Sequence, residues 1–294
     1  MNATVSPPLL AVADWRAQQQ AHAAQADALM GDHRERAARG QPHPVEDFLF
    51  SYYSLRAGHL RRWHSGPDVV LAGEEAREFL RWPEYQQSDD GVQLALAQIP
   101  PKRREFAGWL ATYLAATAGR PAFFGCFGWH EWAMVYRQSA EEIRHNAHPL
   151  RFPPDELAKI VEQGSGCCTH FDAFRFFTPP ARPLNRLQPT RETTIKLEQP
   201  GCLHANMDLY KWAYKLNPAT PGELLLACFA LARDIRKIDM RASPYDLSEL
   251  GYAPIKIETE EGRSEYEKYQ REFARRGDPL RERLRQLAER VGAA

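Results

Sequence analysis

The stretch PGELLLACFALARDIRKIDM, residues 221–240, constrains the fold more than any other part of the chain. It opens on a proline, runs strongly apolar for several turns, and turns charged only near its end. A proline at the first turn fits a helix start, and a helix this apolar has to be covered by other elements. The rest of the sequence supplies such partners. Ala11 to about Arg39 is rich in Ala, Gln and Arg, all good helix formers, with Asp14 as a candidate cap. Helices are also expected over EDFLFSYYSLRAGHLRRWH, over residues 103–117, over PDELAKIVEQG, over HANMDLYKWAYKL up to Asn217-Pro218, and over the charged C-terminus 263–294. EEAREFLRW reads as a short helix closed by Pro83, VVLAG as a short strand, and the alternating YAPIKIET as another. Residues 1–12 read as a loose arm. The expected architecture is mainly α, a single helical domain over 1–294 with one or two short strand pairs.

Charge narrows the function classes. Lys plus Arg and Asp plus Glu are both 38, so the formal net charge is zero. A dedicated nucleic-acid binder is usually basic, and neutrality counts against strong non-specific DNA binding. The five cysteines include the adjacent Cys167-Cys168 and form no CxxC pair, which argues against a zinc ribbon and for reduced thiols in a cytoplasm. The sequence contains neither a signal-peptide pattern nor a membrane span, so no membrane partner is expected. GxGxxG, GxxxxGK[ST], GxSxG and HExxH are all missing. A cysteine nucleophile at Cys167, Cys168 or Cys202 is possible, with small core thiols as the default.

Four groups of residues have the chemistry for a site. His204 and Asp208 stand one helical turn apart on one face. Glu142 and His145 have the ExxH spacing of carboxylate-bridged iron and manganese proteins, without the paired motif such sites use. With His170 and Asp172, His130 and Glu131, Glu198 and Asp239, they form a set able to bind a divalent transition metal and leave a position for substrate. Aromatic residues crowd the acids: Trp129 and Trp132 flank His130-Glu131, Phe171, Phe174, Phe176 and Phe177 surround Asp172 and Arg175, and Trp212 follows Asp208 by a turn. Such a pocket suits a cationic or flat heterocycle, although aromatics at helical spacing usually just pack. Finally Asp234, Arg236, Asp239, Arg241 and Asp246 alternate in sign. They make either a solvated ion-pair face or a phosphate site through Arg236 or Arg241, with Arg191 and Lys211 as further candidates.

The strings HPVEDFLFSYYSLRAGHLRRWH, GCFGWHEWAMVYR, CTHFDAFRFFTPPARPLN, EQPGCLHANMDLYKWAYKL and DIRKIDMRASPYDL resemble a bacterial family labelled 3-methyladenine DNA glycosylase, over about residues 42–285. The resemblance implies release of alkylated purines from damaged DNA, with no cofactor required. Asp172 would then be the first choice for the catalytic carboxylate, followed by Glu131 and Asp208. Trp129, Trp132, Phe174 and Trp212 would stack on the base, and Arg175, Arg191 and Arg241 would hold phosphates. The residues alone carry a second expectation, a metal-dependent enzyme acting on a small molecule, with Fe, Mn or Zn on His145, His170, His204 and Asp208. A third is a non-catalytic ligand-binding protein.

Overall fold

The computed structural model describes residues 7–139, 142–143, 148–164 and 166–294. The fold is mainly α with one small four-stranded sheet, as the helix-period pattern requires. The chain divides into two compact units. The first comprises residues up to Ala115, Leu209–Ala230 and Leu280–Ala294; the second comprises Ala116–Asp208 and Leu231–Pro279.

In the first unit, β1 (Leu9–Leu10) precedes α1 (Val12–Met30), α2 (His33–Ala38), α3 (Phe48–Tyr52) and α4 (Ala57–Leu60). The expected loose arm therefore ends in a strand rather than in coil. The expected helix to Arg39 breaks at Gly31, whose φ of +51° suits glycine, and its cap residue is Ala11 rather than Asp14. α1 buries Trp15, His22, Ala26 and Met30, a single stripe. Trp15 donates its indole N–H to Ala72 O at 3.1 Å. The helix expected through EDFLFSYYSLRAGHLRRWH is also broken, because Ser54 takes a left-handed φ of +52° between α3 and α4.

β2 (Val70–Leu71) is the strand expected from VVLAG, and residues 74–81 form a 3-10 helix. β3 (Tyr85–Ser88) and β4 (Gly91–Leu94) make a hairpin, giving the sheet order β1-β2-β4-β3 with β1 parallel to β2 and the other pairs antiparallel. A side chain at Gly91 would place its Cβ 2.1 Å from Leu71 O, so close strand approach demands glycine there. α5 (Pro101–Ala118) follows.

The second unit holds α6 (Trp129–Ala133), α7 (Pro154–Gln163), α8 (Phe171–Phe174) and α9 (Thr194–Leu197). It also takes the first half of α10 (Leu203–Lys215), the second half of α11 (Gly222–Arg241) and the first part of α12 (Glu260–Ala293). YAPIKIET is not a strand: residues 252–259 are irregular, and Ile255 and Ile257 are buried without a ladder partner strand. Among the described residues no helix is long and apolar enough to cross a membrane.

Candidate metal centre

The first half of α10 is buried on every side, from Leu203 through Asp208. Its polar members His204, Asn206 and Asp208 therefore face protein rather than water. Asn206 spends its amide on Pro200 O and Cys202 O, at 2.8 and 2.9 Å, which fixes the turn entering the helix. α6 is also buried at all five positions, so His130 and Glu131 are inside as well. Its entry depends on Gly128, whose φ is +70° and whose Cβ would stand 3.2 Å from the Tyr266 hydroxyl. On α11, Arg236 and Asp239 lie three residues apart on one face, exposed by only 2% and 1%.

These side chains converge. His130 Nε2 lies 3.2 Å from Asp239 Oδ1 and 3.8 Å from Glu131 Oε1. Arg236 donates to Glu131 Oε1 at 3.0 Å and to Asp239 Oδ2 at 3.4 Å. The rings of His130 and His204 stand edge to face with centroids 4.5 Å apart, and His170 stacks on His204 at 5.2 Å. Beyond His170, its Nδ1 is 2.6 Å from Glu198 Oε2 and its Nε2 is 3.8 Å from Asp208 Oδ2. Three imidazoles thus form a chain of ring contacts between two groups of carboxylates.

Three sets in this array place one ligand atom per residue within 4.8 Å of the others: His130 with His204 and Asp239, His170 with Glu198 and Cys202, and His170 with Asp172 and Asp208. The first two sets are fully buried. A cavity of about 10 Å³ lies against them, lined by His130, His204, Cys126, Cys168 and Cys202 among others. That volume suits a single water or ion. An open cleft of about 450 Å³ shares Cys126 and Trp129 with this cavity and is otherwise lined by Phe127, Ile160, Gln163, Ile257 and Arg263 among others. Trp129 packs its ring on bare backbone, since a Cβ on Gly164 would fall 2.2 Å from its indole nitrogen.

The electrostatics follow from burial opposed by close charge. Burial works against the His130 imidazolium, but Asp239 and then Glu131 outweigh it and raise its pKa. Burial also favours a neutral Asp239, yet His130 and Arg236 hold that carboxyl well below the usual range. His204 is driven well below its ordinary value by desolvation and by the neighbouring imidazoles, so it is a neutral lone-pair donor. Burial pushes the Cys126 thiol up to about 11, and the Cys202 thiol well above its ordinary value. These are core thiols rather than ready nucleophiles. Tyr266 is fully buried with Asp239, Cys126, Cys202 and Glu131 for electrostatic neighbours, and its hydroxyl has no hydrogen-bond partner.

The expected site residues divide between interior and surface. His170, His204, Asp208 and Glu131 lie in the array, and Asp172 lies at its edge, about one-third exposed and 3.3 Å from Arg175. His145 falls outside the described residues. Trp132 and Phe174 are core: Trp132 donates to Ala242 O at 2.9 Å, and Phe174 packs on Phe177 with centroids 5.0 Å apart. Trp212 belongs to the first unit, where it packs with Phe106, Trp109 and Tyr113. Arg175 and Arg191 are exposed, whereas Arg241 is held to Ala253 O and Glu265. Arg236 pairs with Glu131 and Asp239, but both Arg236 and Asp239 are buried, so this part of the segment is not the solvated ion-pair face expected. That Cys202 and Tyr266 lie beside the array was not visible in sequence, because nothing in local spacing brings either to the histidines.

No family model matches the chain, and no curated protein or solved structure matches it.

Proposed function

We propose that the second unit binds a divalent transition metal on His130, His204 and Asp239 and that the protein is a metal-dependent enzyme acting on a small molecule. The observation carrying this reading is the buried triad itself. Its three ligand atoms lie within 4.8 Å of one another, and among the described residues Asp239 Oδ1 is buried with no hydrogen-bond partner, only the ion-pair contact with His130 Nε2 at 3.2 Å. A buried carboxylate oxygen left that way is costly unless a cation completes it. Ligand atoms around a tetrahedral ion with bonds of ~2.0–2.1 Å stand about 3.3 Å apart, close to the 3.2 Å between His130 Nε2 and Asp239 Oδ1. The imidazole and carboxylate donors suit Zn, Fe or Mn. Three protein ligands leave a coordination position for water or substrate, and an ion there lowers the pKa of bound water and polarises an oxygen of the substrate. The cleft that shares Cys126 and Trp129 with the cavity has the volume of a small-molecule site. The test is elemental analysis of protein purified without chelator, with His204→Ala beside it. One equivalent or more of Zn, Fe or Mn, lost in the variant, supports the reading; a metal-free protein that cannot be loaded ends it.

A second reading, release of alkylated purines from DNA, is favoured by the family resemblance and by Trp129 and Phe127 walling a cleft large enough for a base. Asp172 or Glu131 would then stabilise the sugar cation. Base release from alkylated DNA by metal-stripped protein, lost in Asp172→Asn or Glu131→Gln, supports it; no release by the wild-type protein ends it.

A further inference from the structure

We infer that a second transition-metal ion binds beside the first, on His170, Glu198 and the thiolate of Cys202, so that the centre is dinuclear. This rests on the reading of the buried array as a metal centre, but it uses residues that the first triad does not. One ligand atom from each of the three lies within 4.8 Å of the other two, and all three side chains are buried. The two sets share no member, and the stacked rings of His170 and His204, 5.2 Å apart, place them side by side. Two-metal sites need adjacent ligand sets, and these two are both buried.

The lining selects the chemistry of the ion. Cys126, Cys167, Cys168 and Cys202, four of the five cysteines, line a small cavity together with His130 and His204. Soft sulfur donors favour zinc, copper(I) or iron over magnesium or calcium. A coordinating thiol is deprotonated outright, so ion binding sends the Cys202 proton to solvent. His170 binds through Nδ1, now 2.6 Å from Glu198 Oε2, and keeps its proton on Nε2, which faces Asp208 Oδ2 at 3.8 Å. The ion thus replaces the proton that His170 and Glu198 share, and Asp208 takes the outer position that commonly orients a ligating imidazole.

Cobalt(II) is the probe. Metal-stripped full-length protein is titrated with Co²⁺, and bound cobalt is counted after desalting while thiolate-to-cobalt charge-transfer absorption is followed. The expected result is two cobalt ions per chain with a thiolate band. Cys202→Ser should keep one ion and lose the band; His204→Ala should keep the band and lose an ion. If Cys202→Ser does not fold, the wild-type count and band decide alone. One ion without a thiolate band overturns the second position and leaves the first standing. One ion with a band that His204→Ala does not disturb supports the Cys202 position and removes the first triad. A band that survives in Cys202→Ser overturns the ligand assignment, and no bound cobalt overturns both positions.

Discussion

Asp239 meets His130 through both carboxylate oxygens: Oδ2 takes the hydrogen bond at 3.4 Å, and Oδ1 stands 3.2 Å from the same Nε2 without one. Oδ2 thus serves both the imidazole and the Arg236 guanidinium, and Oδ1 is the oxygen that the proposed ion would take. Asp239→Asn keeps the shape and removes the charge. Loss of a group that merely orients a metal ligand costs roughly 10–100-fold in affinity, and loss of a ligand should cost at least that. Competition against a chromophoric chelator should show zinc affinity down by on the order of 100-fold or more, with the far-UV spectrum unchanged. Unaltered affinity would remove Asp239 from the ligand set.

Arg236 is the cation of the same cluster, and its guanidinium serves Glu131 and Asp239 together. Breaking a buried ion pair from one side leaves a charge without compensation and costs roughly 3–5 kcal/mol. Arg236→Met, which keeps the length of the stem, should lower the unfolding free energy of metal-free protein by about that much in urea. Added zinc should recover part of the loss, because the ion supplies positive charge to the same carboxylates. A loss of under about 1 kcal/mol would mean that the pair contributes no more than a surface one.

How far the sequence could be read depended on whether the deciding interaction was local. The apolar run of α11, the proline before it and the helix formers of α1 are local; α11 stands where it is expected, and α1 does as far as Gly31. Ser54 breaks α3 from α4 through a left-handed backbone that no periodicity reports. Residues 252–259 alternate as a strand would, yet Ile255 and Ile257 are buried without a ladder to join. In the site, the one-turn spacing of His204 and Asp208 was legible because it lies within a helix. That Glu198 would reach His170 across 28 residues, or Asp239 reach His130 across 109, depended on tertiary packing. The local pairing of Asp172 with Arg175 was legible too, but its partial exposure was not.

Asp47 gives the first unit an acid-sensitive anchor. Burial favours its neutral form, but Arg36 at 2.5 and 2.9 Å, the His43 amide at 2.8 Å and His33 at 2.9 Å outweigh it and bring the pKa from 3.8 to about 2. A carboxyl whose folded pKa is depressed stabilises the fold above its unfolded pKa, and that contribution is lost as pH falls through the folded value. The window is therefore from about pH 4 down to 2, and the contribution is roughly 2 kcal/mol. Asp47→Asn should lower stability at pH 7 by at least that much and flatten the acid limb of a stability–pH curve from urea melts. A variant whose curve below pH 4 parallels the wild type would show that other carboxyls carry the acid sensitivity.

Tyr266 presents the opposite case, a polar group buried beside the cluster with nothing among the described residues to satisfy it. Its hydroxyl has no hydrogen-bond partner there, and desolvation, reinforced by Asp239 and Cys126, raises its pKa well above the ordinary value, so the phenol stays neutral. A buried hydroxyl without a partner costs roughly 1–3 kcal/mol. Tyr266→Phe removes the hydroxyl and keeps the ring against Gly128, so metal-free protein should gain on the order of 1 kcal/mol in urea unfolding. If metal loading gave the hydroxyl a partner, that gain should shrink or reverse. The difference between the two states, measured on the same pair of proteins, separates a hydroxyl kept for a ligand from one that merely fills space. An equal gain with and without metal would leave Tyr266 a packing residue.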